Sequence, residues 1–216
     1  KNPLTPIAVS VADLKRSYEL SREDFPAILD QAVRTVGEEV ERLKRMLNEF
    51  SEFGRLPPPQ LREFRIEELF ADLAALYTRD VRTGRLVFEP NTSGTMLHAD
   101  PAQMRQALVN LLQNSLDAVN GQGRVTLEAR SEPDHIEISV SDNGPGLTSE
   151  QRAQLFSPDF TTKPGGSGLG LVMVDRIVND HEGSIAVRSQ PGQGTTITLR
   201  FPRVIEREHA VRPDRG

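Results

Sequence analysis

Cysteine is absent from the 216 residues, which excludes a disulfide framework and any zinc-thiolate centre and suits a reducing cytoplasm. Long apolar runs are missing as well. None approaches the roughly 20 residues that a membrane-spanning helix needs, and no signal-peptide pattern opens the chain. An excess of positive charge is missing too. The 26 Lys and Arg against 31 Asp and Glu give a net charge of -5, so neither nucleic acid nor an anionic membrane surface is expected as a direct partner. There is no initiator Met. A chain that starts at Lys1 reads as a segment of a longer cytoplasmic protein, and any membrane contact is expected only through a region outside it.

What is present describes a globular protein of one or two domains, with 37% apolar and 26% charged residues. Leu4, Ile7, Val11, Leu14 and Tyr18 recur with the alternating three-and-four spacing of a packed helix seam. Leu29, Val33, Val36, Val40, Leu43, Leu47 and Phe50 repeat the pattern, interleaved with Arg34, Glu38, Glu41 and Arg45. Between the two, SREDFPA offers Ser21 as a cap and Pro26 for a first helical turn, so an αα-hairpin is expected. Two helices close no core alone. Either a second copy completes a four-helix bundle or the hairpin packs on the rest of the chain. Pro3 and Pro6 in KNPLTPI make an awkward helix start, read as the first visible turn of a longer helix that Pro6 bends.

GRLPPPQ, residues 54–60, breaks the helical period and favours an extended connection, which puts a domain boundary between 56 and 57. Beyond it the pattern predicts a helix near 66–78, a strand near 85–89, and a helix from Pro101 to about Asn120 with Asp100 as its cap. RVTLEAR and HIEISVSD alternate as strands across Glu132, Pro133 and Asp134. A helix follows over about 169–180, and SIAVRSQ and TTITLRF close a hairpin across PGQG. No regular βαβ repeat runs through this order. The expected class is α+β: a helical hairpin over 1–56, an α/β sandwich over 57–205 whose mixed sheet is covered on one face by helices, and a polar tail over 206–216.

Three short elements of the second domain carry chemistry. NLLQN sets Asn110 and Asn114 on one face of the helix, one turn apart, where a carboxamide oxygen could ligate a hard cation or simply be solvated. SDNGPG ends a strand with Asp142, Gly144 and Gly146. It reads either as a tight turn or as a carboxylate that accepts from an exocyclic amine, beside glycines that let the backbone approach a planar ring. GGSGLGL, with Gly165, Gly166, Gly168 and Gly170, runs into a helix whose N-terminal N–H groups suit a phosphate. It is no dinucleotide fingerprint, since no strand immediately precedes it. Residues 147–167, between the second and third elements, have the length of a functional lid.

Taken in order, the three elements resemble the ATP-binding domain of sensor histidine kinases, the Bergerat-type fold shared with a heat-shock chaperone family, gyrase B and MutL. The stretch Asn110 to Asn114 resembles the asparagine box, DNGPG the first glycine box, LFSPDFTTK the phenylalanine box, and GSGLGL the second glycine box. KNPLTPI resembles the sequence just after the phosphoacceptor of the dimerisation hairpin, where the family reads H-E-x-K-N-P. With EFSEFGRLPPP it is most similar to nitrogen-regulation sensor kinases of the NtrY and NtrB type. One departure stands out. The phosphorylatable histidine would lie three residues before Lys1, and His98, His135, His181 and His209 do not replace it. Structural or solvated roles are expected for these four, with His181 as a cationic tip at a helix end.

The resemblance implies a kinase that uses ATP and Mg2+ to phosphorylate a histidine, passes the phosphoryl group to an aspartate of a response regulator, and possesses phosphatase capacity toward that regulator. It implies Asn114 as the Mg2+ ligand and Asn110 in place of the general base of water-hydrolysing relatives. Asp142 would read adenine beside Gly144, Gly146 and Thr195. Gly166, Ser167, Gly168, Leu169 and Gly170 would cradle phosphates, with Asp117, Phe156, Thr161, Thr162 and Lys163 completing the nucleotide site and Lys163 reaching the γ-phosphate. Asn2 would orient water for dephosphorylation. A homodimer through 1–56 and a receiver domain are the implied partners. The rivals are a nucleotide-gated dimeric scaffold and a water-hydrolysing ATPase of the same fold.

Overall fold

The computed structural model describes residues 4–20, 24–54, 56–92, 94–158, 160–161 and 168–203. Ser21, Asn2 and the expected tail over 206–216 lie outside them. The chain divides into two compact units, one of residues 1–56 with 161–169 and one of residues 57–160 with 170–216.

In the first unit α1 (Leu4–Leu20) packs against α2 (Phe25–Gly54) as an antiparallel hairpin. Pro6 lies within α1, two residues after its first described residue. Tyr18 and Phe25 meet edge to face across the turn, ring centroids 5.8 Å apart. The apolar seams expected from the sequence split into two faces. Ile7, Ser10, Leu14 and Ser17 of α1 are shielded, as are Ile28, Ala32, Val36 and Leu43 of α2. Leu4, Val11, Tyr18, Leu29, Val33, Val40 and Leu47 stay exposed.

The second unit begins with β1 (Arg62–Arg65), α3 (Ile66–Leu76), α4 (Thr78–Arg82), β2 (Leu86–Asn91), β3 (Met96–Ala99) and α5 (Pro101–Ala118). It continues through β4 (Val125–Ser131), β5 (His135–Asp142), α6 (Ser149–Ala153), α7 (Leu169–Asp180), β6 (Ser184–Ser189) and β7 (Thr195–Pro202). The main sheet runs β2-β4-β5-β7-β6, with β2 parallel to β4 and the other pairs antiparallel, so it is mixed as expected. A separate ribbon, β1 against β3, was not legible beforehand. Its strands REFR and MLHA have four residues each, too few for a period-2 signal.

One face of the main sheet is apolar and covered. Val125, Leu127 and Ala129 of β4, Ile136, Ile138 and Val140 of β5, and Ile197, Leu199 and Phe201 of β7 are buried. Ile66, Leu69, Phe70 and Leu73 of α3, Met104, Ala107, Leu108, Leu111 and Leu112 of α5, and Met173, Val174, Ile177 and Val178 of α7 complete that core. The opposite face is polar, with Ser139 to Thr198 at 2.9 Å, Ser141 to Thr196 at 2.9 Å, and Arg200 donating to Glu137 at 2.7 Å.

Asp100 starts α5 as expected. Its Oδ1 accepts from the N–H groups of Ala102 at 2.9 Å and Gln103 at 3.2 Å, and Pro101 occupies the first turn. Burial pushes the Asp100 carboxyl up, but N–H groups of Gln60, Gln103 and Ala102 outweigh it and hold the group below the ordinary aspartate value of 3.8. A depressed carboxyl contributes stability above its unfolded value and loses it as pH falls through the folded one. Asp100→Ala is therefore expected to lower unfolding stability by about 1 to 2 kcal/mol at neutral pH. The gap to the unsubstituted chain should shrink below about pH 4, read by urea denaturation at stepped pH.

Candidate functional site

The C-terminal end of β5 delivers Asp142 to a half-buried position where backbone donors converge. Its Oδ1 accepts from Gly144 N–H at 2.9 Å and from Thr195 N–H, at the start of β7, at 3.3 Å. The hydroxyl of Ser115, a buried residue of α5, lies near enough to the same carboxylate to favour its ionised form. Burial pushes the Asp142 carboxyl above the ordinary aspartate value, and these three groups oppose that shift without cancelling it.

The glycines around Asp142 are required by space and by backbone. Gly146 has φ of +67°, and a Cβ there would strike the Gln190 carbonyl. Gly194 has φ of +80°, and a Cβ there would strike the Asp142 carbonyl. At Gly144 an added Cβ would stand 2.9 Å from Asp142 Oδ1. The β6–β7 turn is pinned to this loop, since Gly192 N–H donates to Pro145 O at 2.7 Å. Ser189 adds a second pin. Its hydroxyl accepts from Leu147 N–H at 2.9 Å, donates to Gly194 O at 2.9 Å, and stands 3.0 Å from the Thr195 hydroxyl.

Helix α5 carries Asn110, Asn114 and Asp117 on its polar side, the first two half-buried and the third exposed. The Asn110 side-chain amide donates to Gly170 O, in the first turn of α7, at 3.3 Å. Asp117 accepts from Gln113 at 2.8 Å. Gly168, at φ of +76°, directly precedes Leu169 and the start of α7. The structure therefore brings together Asp142, Gly144, Gly146 and Thr195, and joins Asn110 to Gly170.

Phe156 lies half-buried just after α6, and Thr161 is exposed. The expected site residues Thr162, Lys163, Gly166 and Ser167 lie outside the described residues. The segment following Leu147 is more ordered at its start than a lid of this length implies. Thr148 and Gln151 form a reciprocal capping box on α6.

Two functional-site residues escaped the sequence reading. Ser115 had a signal, being a small polar residue on the buried stripe that runs from Leu108 through Leu111 and Leu112 to Leu116. Ser189 had none, since its role arises from pairing of distant segments. His181 differs from expectation. Its Nδ1 donates to Ile177 O at 2.7 Å and its Nε2 accepts from Asp100 N–H at 3.0 Å, so the ring is a neutral, buried double tie and not a cationic helix tip.

Residues 99–205 match the family described as histidine kinase-, DNA gyrase B- and HSP90-like ATPase. Nitrogen regulation protein NtrY of Azorhizobium caulinodans is 35% identical over 210 residues, spanning 92% of this chain and 27% of that protein. Sensor histidine kinase ZraS of Escherichia coli K12 is 34% identical over 210 residues, spanning 96% of this chain and 44% of that protein. The chain belongs to the sensor histidine kinase family. It spans less than half the length of either relative.

The nucleotide-free catalytic domain of histidine kinase ThkA superposes on this kinase segment with a TM-score of 0.60 at 28% identity, over 66% of this chain and 95% of that one. ThkA in complex with response regulator protein TrrA superposes with a TM-score of 0.66 at 23% identity, over 93% of this chain and 57% of that one, a likeness of fold. Among the described residues no helix is long and apolar enough to cross a membrane.

In this kinase segment Ser115 opposes the upward push on Asp142. Ser115→Ala should move the Asp142 carboxyl midpoint further upward, followed by NMR titration of the side-chain carboxyl carbon. A midpoint unmoved by the substitution would show that the hydroxyl does not hold the carboxylate.

Proposed function

We propose that this chain is the cytoplasmic catalytic core of a two-component sensor histidine kinase, which uses Mg-ATP to phosphorylate a histidine and passes the phosphoryl group to an aspartate of a receiver domain. The observation that carries the reading is Asp142. It is a half-buried carboxylate fixed by Gly144 and Thr195 N–H groups, among glycines whose missing Cβ atoms let the loop and the β6–β7 turn close around it. An ionised carboxylate there accepts from the exocyclic amine of adenine.

Gly144, Gly146 and Thr195 lie beside the base in this reading. Gly166, Gly168 and Gly170, with Ser167 and Leu169, present backbone N–H groups to the phosphates at the start of α7. Asn114 offers its amide oxygen to Mg2+. Water and phosphate oxygens would complete the shell of a Mg2+ held there, since Mg2+ keeps several such ligands. When bound, Mg2+ neutralises charge on the transferring group in a loose transition state. Asp117, Phe156, Thr161, Thr162 and Lys163 complete the site, Lys163 as a flexible point charge.

Asn110 argues against water hydrolysis. An amide is no base, and here its N–H is turned to Gly170 O. A neutral imidazole needs no such help, since it is already nucleophilic. Its nitrogen forms the new N–P bond as the bond from the γ-phosphorus to the ADP oxygen breaks, and the imidazole releases a proton. In this reading none of His98, His135, His181 and His209 is the acceptor. Dephosphorylation of the regulator, with Asn2 orienting water, belongs to the same proposal.

The hairpin supports a homodimer. Val33 and Leu47 are 63% and 66% exposed and Leu4 and Tyr18 are 58% and 65% exposed, an apolar stripe that a second copy would bury as a four-helix bundle. A receiver domain is the further partner, as the ThkA complex with TrrA illustrates for that kinase.

Calorimetry should detect Mg-ATP binding to the chain, and no binding would sink the kinase reading. Asp142→Asn should weaken that binding at least tenfold. The fold should not suffer. A carboxyl raised by folding contributes stability below its unfolded value and loses it as pH rises through the folded one, so removing its charge at pH 7 leaves stability equal or higher. Val33→Asp combined with Leu47→Asp should convert a dimer to a monomer in sedimentation without unfolding the α/β unit.

A further inference from the structure

The connection leading out of α2 is bonded into the second unit through Asp100 and Gln103. Gln60 N–H donates to Asp100 Oδ2 at 2.8 Å, and the Gln103 side-chain amide donates to Pro57 O at 2.9 Å. Gln103 is 4% exposed, and its Oε1 has no hydrogen-bond partner, so the bond to Pro57 is what its buried side chain contributes. Asp100 serves three elements at once. Its Oδ1 caps α5, its Oδ2 holds the connection, and its own N–H is held by His181 Nε2 at 3.0 Å. Through Nδ1, His181 reaches Ile177 O in the last turn of α7 at 2.7 Å. The His181 ring also lies edge-on to buried Phe201, centroids 6.4 Å apart, which fixes its plane.

Hydrogen bonds thus link α5 to both ends of α7. Asn110 to Gly170 O joins them at the first turn of α7, and the Asp100–His181–Ile177 chain joins them at its last. A displacement of residues 57–60 pulls on Asp100, which shifts one of the two ties and changes how α7 sits on the helix that bears Asn110, Asn114 and Ser115.

We propose that the Asp100–His181 tie makes docking of residues 57–60 and nucleotide binding mutually dependent, so that movement of this connection regulates the site. The inference rests on the nucleotide reading given above. Linkage requires reciprocity: if the docked connection favours nucleotide, nucleotide must favour the docked connection by the same factor.

Two measurements on the whole chain test it. Hydrogen exchange reports the Gln60 amide, whose N–H lies in the tie, without and with saturating Mg-ATP. Calorimetry reports Mg-ATP affinity in Gln60→Pro, which removes that N–H, and in Gln103→Leu, which removes the bond to Pro57 at nearly constant volume. Gln60→Ala keeps the N–H and serves as the control. Expected are slower exchange at Gln60 on binding and an affinity about fivefold or more weaker in either broken variant, with Gln60→Ala unchanged. A Gln60 amide indifferent to nucleotide, or both broken variants binding as the unsubstituted chain does, would overturn the coupling while leaving the nucleotide reading intact. Absence of Mg-ATP binding by the unsubstituted chain would overturn both.

Discussion

Helix α5 must satisfy two environments on one cylinder. Met104, Ala107, Leu108, Leu111, Leu112 and Leu116 are buried, and the helix packs against β4 and β5. With 3.6 residues per turn, that apolar stripe leaves Asn110, Asn114 and Asp117 on the other side, and Ser115 where the two sides meet. The side chains that face the proposed nucleotide are therefore positioned by residues that never touch it. A slip of α5 by one residue would rotate the polar side by about 100° and separate Ser115 from Asp142. This is why so many constraints converge on the start of the helix. The cap at Asp100, Pro101 in the first turn, Gln103 under Pro57 and the His181 tie all fix its axial position.

Asp142 holds the opposite side of the site in tension. Burial disfavours its charge, and Gly144, Ser115 and Thr195 restore part of what burial removes. The balance suits the proposed role of Asp142 as acceptor for a ligand's donor. A fully solvated carboxylate would exchange water for the ligand at little net gain, whereas a partly desolvated one gains more from a new donor. The cost is borne by the backbone. Positive φ at Gly146 and Gly194 lets the loop and the β6–β7 turn close around the carboxylate, and Ser189 and the bond from Gly192 to Pro145 hold them there.

Much of this was legible in the sequence, for reasons that separate local from non-local information. α5 with its cap, β4, β5, the closing hairpin and α7 declared themselves through periodicity and end signals that each act within a few residues. Asp142 and its glycines were found as a short motif. The β1–β3 ribbon and α6 were too short for periodicity, and α6 could have been found only from the capping box of Thr148 and Gln151. Ser189 and the bond from Gln60 to Asp100 depend on segments 40 or more residues away, which no local pattern encodes. His181 was misread for the same reason. Its place at a helix end suggested a cation, but the Asp100 N–H, 81 positions away, requires an unprotonated nitrogen.

The hairpin obeys a different arithmetic from the α/β unit. Heptad seams predicted one apolar stripe per helix, yet the two helices meet through Ser17 and Ala32, the positions most buried at 5% and 3%, and leave Val33, Leu47, Leu4 and Tyr18 in water. Small residues at the contact let the two helices approach closely, with Ile7, Leu14, Ile28, Val36 and Leu43 half-buried beside them and the remaining large apolar residues on the flank. In the proposed homodimer such a hairpin would be half of a bundle, and burying its exposed flanks would contribute at roughly 25 cal/mol per Å2 of apolar surface. Its stability would then depend on protomer concentration. The α/β unit has a buried core of its own, so in that reading one chain would join a part ordered by partnership to a part ordered by its own sequence.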